Sequence, residues 1–152
     1  MPSETASVGC EVLDAQHGAI ATLLERVRQR VEANDPDGTA RTVNALWDEV
    51  VNHFTTEEAL MERFAYPELP AHRAAHQLFL EDLRSLSADL RAEGLTAEVA
   101  TWACRRLPDW VTFHVETNDV PLGRFLARRM GARPTPSGPP GGPPGRPKRS
   151  DA

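Results

Sequence analysis

The stretch VNALWDEVVNHFTTEEALMERF, Val43 to Phe64, decides the fold. Within it Val43, Leu46, Val50, His53, Glu57, Leu60 and Phe64 recur at spacings of three and four, which is the seam of an amphipathic helix. A histidine and a carboxylate stand at two positions of that seam where apolar residues are normally found. Alone, each would be read as a hydrogen-bonded core residue or as a misjudged face. Together, four residues apart, they stack on one helical face about 6 Å from each other along the axis.

Working outward, the same seam recurs three more times. His17, Ile20, Leu24, Val27 and Val31 form it before this stretch; His72, His76, Phe79, Leu83, Leu86 and Leu90 form it after, followed by Ala100, Ala103, Leu107, Trp110, His114 and Thr117. Breakers separate the seams at Asn34 to Gly38, at Tyr66 to Pro70 and at Gly94 to Thr96. Such short connections make consecutive helices antiparallel. The expected fold is therefore all-α, an up-down-up-down four-helix bundle. Thr96 is the expected cap of the fourth helix, and Asp37 or Thr39 that of the second. A further short helix is expected from about Leu122 to Met130, weakened by Gly123 by roughly 1 kcal/mol. Pro108 removes the bond to the Cys104 carbonyl, which predicts a kink or a restart in the fourth helix.

The histidines share a single pattern: His17, His53-x3-Glu57, His72-x3-His76 and His114-x4-Asp119 use all five in the chain. Imidazole nitrogen and carboxylate oxygen are donors for a transition metal. Burying five imidazoles and two carboxylates without a cation would cost several kcal/mol per unpaired charge, so the pattern reads as a binuclear metal site. Asp119 poses a geometric question, because five residues of ideal α-helix place it about 140° around from His114. Pro121 disfavours helical geometry at Val120, so the last turn is expected to loosen and let Asp119 swing inward.

Composition frames the site. The chain has 152 residues, 40% of them hydrophobic, which suits one domain. Arg133 to Ala152 holds 7 of the 13 prolines and 4 of the 10 glycines, so residues 133–152 are expected to be a disordered Pro/Gly-rich tail, with the bundle domain at residues 1–132. The tail is basic, with four cations against Asp151, and the chain's net charge of -5 therefore leaves an acidic bundle. No basic face suggests nucleic acid. The first residues lack a signal-peptide pattern and no run approaches a membrane span, so a cytoplasmic location is expected. Cys10 and Cys104 are too few for a disulfide framework and read as small, partly buried side chains. Trp47 and Trp102 read as packing anchors, and Glu58, Glu62 and Glu116 as solvated-face residues.

The motifs LDAQH (Leu13 to His17), HFTTEEALM (His53 to Met61), YP (Tyr66, Pro67), HRAAHQLF (His72 to Phe79) and WVTFHVETND (Trp110 to Asp119) resemble those of the hemerythrin family of non-haem di-iron proteins. The resemblance covers roughly residues 8 to 130. It implies two iron ions: one held by His72, His76 and His114, the other by His17 and His53, with Glu57, Asp119 and an oxo or hydroxo group bridging them. The second iron would have one nitrogen fewer and an open position for dioxygen, lined by Ile20, Phe54, Trp110, Val111 and Val115. Reversible oxygen binding, for storage, delivery or sensing, is the function implied. The chain departs from the family pattern in three places. Val120 replaces a lysine often found after the bridging aspartate, the tryptophan often found ahead of the first helix is absent, and Pro108 interrupts the fourth helix.

Two other functions compete. One is a di-iron enzyme acting on hydrogen peroxide or nitric oxide; the other is an iron or redox sensor whose tail contacts a protein partner. Oxygen-activating bundles typically pair Glu-x-x-His on two helices, a motif this chain lacks, and the expected pocket offers no proton donor. Both points favour binding over catalysis.

Overall fold

The structure is a computed structural model that describes residues 6–131; the expected tail at 133–152 lies outside the described residues. Three long helices, α1 (Glu11–Glu32), α2 (Pro36–Arg63) and α3 (Leu69–Glu93), are followed by a fourth helical rod. That rod consists of α4 (Ala97–Thr101), α5 (Leu107–His114) and α6 (Val120–Met130), joined by two π-helical turns, Trp102–Arg106 and Val115–Asp119. The helices make the four-helix bundle that the seams predict.

Their ends follow from local chemistry. Helix α2 starts earlier than Asp37 or Thr39: Asp35 is the cap, its carboxylate accepting from the Gly38 N–H at 2.9 Å, with Pro36 at the first helical position. Proline suits that position because its missing N–H would have had no partner there. Thr96 caps α4 as expected, accepting from the Val99 N–H at 3.1 Å. Helices α1 and α2 both close in the same way, with a left-handed residue just past the end, Asn34 (φ 51°) and Ala65 (φ 53°). The Asp35 N–H then donates to the Arg30 carbonyl at 3.0 Å, and the Tyr66 N–H to the Met61 carbonyl at 2.8 Å.

Neither proline in the fourth rod breaks it. The Leu107 N–H reaches back five residues to Trp102, and the Val120 N–H reaches back five to Val115. Each π turn shifts the bonding register just before a proline, so that Pro108 and Pro121 fall in the first turn of the next α segment, where the missing N–H costs least. Val120 itself stays helical (φ -60°, ψ -48°), so the expected loosening of the last turn takes the form of the π turn that precedes it. The separate short helix expected from Leu122 is instead the continuation of the rod.

Gly123 has a packing reason. A Cβ there would lie 1.9 Å from the Val8 carbonyl oxygen, so only glycine lets the N-terminal segment cross α6. Val8 is buried at that crossing, and the segment is tied to α1 by Asp14, which accepts from the Val8 N–H at 2.8 Å and from the Ser7 hydroxyl at 2.9 Å.

The core falls into two apolar clusters. One contains Val27, Leu46, Leu83, Leu90 and Leu107 and is bounded by Ile20, Phe54 and Phe79; the other contains Val8, Leu13, Met61, Leu122 and Leu126. Along α1, His17 lies between Leu13 of one cluster and Ile20 of the other, and along α2 Glu57 lies between Met61 and Phe54. A polar layer thus separates two apolar ones.

Candidate metal centre

All seven predicted ligands meet in that layer, and all are buried. Their donor atoms form two overlapping groups, Glu57, His72, His76, His114, Asp119 and His17, His53, Glu57, Asp119, with the atoms of each group within 4.8 Å of one another. The two carboxylates belong to both groups and divide their oxygens between them. Glu57 turns Oε2 to the Nε2 atoms of His72 (3.1 Å) and His76 (3.0 Å), and Oε1 to His53 Nε2 (3.3 Å). Asp119 turns Oδ1 to His72 and His114 (3.1 Å each), and Oδ2 to His17 (2.9 Å).

Asp119 reaches the layer because the π turn Val115–Asp119 takes five residues for about one turn, which brings it under His114 rather than 140° away. The His-x4-Asp spacing, read with Pro121, is the sequence signal for this turn.

Several of these atoms are orphans. Glu57 Oε1, His76 Nε2, His114 Nε2 and Asp119 Oδ1 are buried with no hydrogen-bond partner, although other donor atoms crowd around them. Buried polar groups are nearly always paired in folded proteins, so lone pairs converging without hydrogen bonds fit a cation at their centre.

The electrostatics of the metal-free layer are those of a charge cluster. Burial alone would lower the pKa of His53 and His72, but the carboxylates of Asp119 and Glu57 beside them prevail and push both up to about 9. Burial would raise Glu57, yet the imidazoles of His53, His72 and His76 beside it bring it down to about 2. Asp119 is likewise held well below the usual carboxylate range, where burial is outweighed by His114, His17, His53 and His72. For His76 burial prevails and its pKa falls.

Aromatic rings hold two of the imidazoles. Phe54 stacks on His76 at 3.7 Å between centroids, and Trp110 stacks on His114 at 4.7 Å. Beside these rings lies a cavity of about 20 Å³ that touches His17, His53, His114 and Asp119. Ile20, Phe54, Trp110, Val111 and Val115 line it, as the sequence reading expects. Val50 and Phe79 line it as well and were missed. Each stands three residues along the seam from a histidine, Val50 before His53 and Phe79 after His76, and that spacing was the available signal.

The chain matches the family model described as "Hemerythrin HHE cation binding domain" over residues 8–122. It belongs to the hemerythrin family. Similar hemerythrins include a bacteriohemerythrin of Ralstonia nicotianae, 29% identical over 84% of this chain and 88% of that protein. The myohemerythrin of Sipunculus nudus is 34% identical over 57% of this chain and 64% of its own length. A crystal structure of a leucine-to-phenylalanine mutant superposes with a TM-score of 0.75 at 25% identity, covering 84% of this chain and 99% of that one. The buried layer of this hemerythrin fits a metal site, in keeping with a domain named for cation binding.

Residues outside the ligand set complete the picture. Glu58 is not simply solvated: it is half-buried, accepts from Arg73 Nε at 2.8 Å, and lies 3.9 Å from His76 Nδ1. Arg73 also pairs with the exposed Glu62 at 2.6 Å. Cys10 and Cys104 are free and partly buried, and Trp47 and Trp102 pack against the larger cluster, as expected. No described helix is long and apolar enough to cross a membrane.

Proposed function

We propose that this hemerythrin holds two iron ions in the buried layer and binds dioxygen reversibly. His72, His76 and His114 hold one ion, His17 and His53 the other, with Glu57 and Asp119 bridging. The observation that carries this reading is the division of each carboxylate's oxygens between the two histidine groups. When bound, the ferrous pair supplies the electrons by which dioxygen is held.

The protein's own part is to shape and dry the site. The cavity touches both His17 and His53 but only His114 of the three-histidine group, and apart from Asp119 its remaining wall is largely aliphatic and aromatic carbon. At about 20 Å³ it has room for little more than one water, which suits a diatomic ligand and excludes larger substrates. No hydroxyl, amine or thiol lines it; apart from the site's own histidines and Asp119, the N–H-bearing side chain on its wall is the Trp110 indole, far too weak an acid to give a proton to bound oxygen. A dry, proton-poor wall favours release of the ligand unchanged.

The test is the visible spectrum of iron-loaded, dithionite-reduced protein, recorded before air, after air and after argon purging. Absorption that appears with air and disappears with argon is the expected result. Immediate irreversible oxidation, or sustained consumption of added peroxide, would overturn the reading in favour of catalysis.

A further inference from the structure

The histidines of the layer are not supported alike. His53 Nδ1 lies 2.8 Å from Gln16 Oε1, whereas the Nδ1 atoms of His17 and His76 are buried with no hydrogen-bond partner. The Gln16 amide is itself held, with Nε2 3.0 Å from the Thr56 hydroxyl oxygen. That hydroxyl gives its only proton to the Asn52 carbonyl at 2.9 Å, so towards Gln16 it can only accept.

This chain of bonds has one consistent direction. Thr56 accepts, so the NH2 of Gln16 must face it and the amide oxygen must face His53. An amide oxygen only accepts, so Nδ1 of His53 carries a proton and donates. With one proton fixed on Nδ1, it is Nε2, the atom that points at His17, Glu57 and Asp119, that gives up its proton and presents a lone pair when a metal binds.

We infer that Gln16 is a positioning residue that sets the tautomer and ring orientation of His53, and so governs metal binding on the two-histidine side of the layer. The inference rests on the di-metal reading above. Groups that hold the outer nitrogen of a ligating histidine commonly affect metal affinity ten- to a hundredfold. Two features make Gln16 distinctive. It acts on a histidine that lines the cavity, and it is a neutral amide where a carboxylate would push electron density into the ring.

The test is anaerobic titration of the full chain with ferrous iron, following stoichiometry and the affinity of each ion. Wild type should take up two ions. Gln16→Ala should keep the first at wild-type affinity and bind the second about ten- to a hundredfold more weakly. Gln16→Glu, which keeps the acceptor, should retain both ions and lower the midpoint potential. Thr56→Val, which leaves Gln16 in place but frees its amide to rotate, should weaken the same ion to a smaller degree; it stands in for Gln16→Ala if that variant fails to fold.

A second readout needs no iron. In zinc-loaded, nitrogen-15-labelled protein, the His53 Nδ1–H should give a slowly exchanging resonance that disappears in Gln16→Ala. If Gln16→Ala and Thr56→Val bind both ions as wild type does, or if Gln16→Glu loses the second ion, the role assigned to Gln16 is wrong. Uptake of fewer than two ions by wild type would overturn the di-metal reading instead.

Discussion

At the residue scale, the metal-free layer is a set of paired charges that a cation must displace. His53 and His72 have pKa values of about 9 in the fold against 6.5 for a free histidine, so their contribution to stability is full below pH 6.5 and is lost as pH rises through 9. Glu57 runs the other way, contributing fully above its ordinary 4.5 and losing that as pH falls through about 2. Urea denaturation should therefore show metal-free protein less stable at pH 9.5 than at pH 6.5, with a smaller difference once metal occupies the Nε2 atoms. Metal uptake should also strengthen between pH 6 and 9, because protons compete less well for the same nitrogens as their concentration falls. His114→Ala should abolish stable binding on the three-histidine side, and Glu57→Ala should weaken both ions; iron analysis after gel filtration checks each. These seven residues were legible in the sequence because each is a polar residue placed where the fold needs an apolar one or at a fixed offset from such a position. Gln16 and Glu58 were not, since one seam gives no sign that an outward-leaning side chain will meet a residue of a neighbouring helix.

At the scale of the element, the seams located every helix, and the errors fell where backbone geometry departs from the ideal. Asp35 was overlooked as the α2 cap because Pro36 looks like a breaker until it is placed at the first helical position. The turn at Ala65 shows a similar departure, with a residue bearing a Cβ in the left-handed region that glycine adopts freely. Ala65→Gly should raise stability by about 0.5–1 kcal/mol, measured by chemical denaturation. Gly123→Ala should do the opposite despite alanine's better helix propensity, because its Cβ would meet the Val8 carbonyl. A loss of about 1–3 kcal/mol is expected, with Val8 lifted from its site. The sequence showed the helix-weakening glycine but not the strand of chain that crosses it.

For the whole molecule, two apolar clusters on either side of a polar layer make stability depend on what fills the layer. Chelating the metal should lower the melting temperature by on the order of 10 °C, read by circular dichroism, since a ligand that binds only the folded state stabilises it. Removing residues 133–152 should leave both the melting temperature and the visible spectrum of loaded protein unchanged; a changed spectrum would move the domain boundary. The overall bundle was legible because short connections between four seams leave little choice of topology. Its fourth member was harder to read, since two prolines in one seam suggest interruption and a wider turn leaves only a slight trace in residue type.

Those wider turns change what kind of alteration the centre can withstand. Each one adds a single residue to the count without adding a turn, so the angular position of Asp119 relative to His114 is set by how many residues lie between them and hardly by which they are. Exchanging the exposed Glu116 or Thr117 for other helix-compatible residues should leave the metal in place, whereas deleting either should swing Asp119 out of the layer and take the second bridge with it. Along this part of the rod the centre is sensitive to length and, at its two exposed positions, indifferent to side chain.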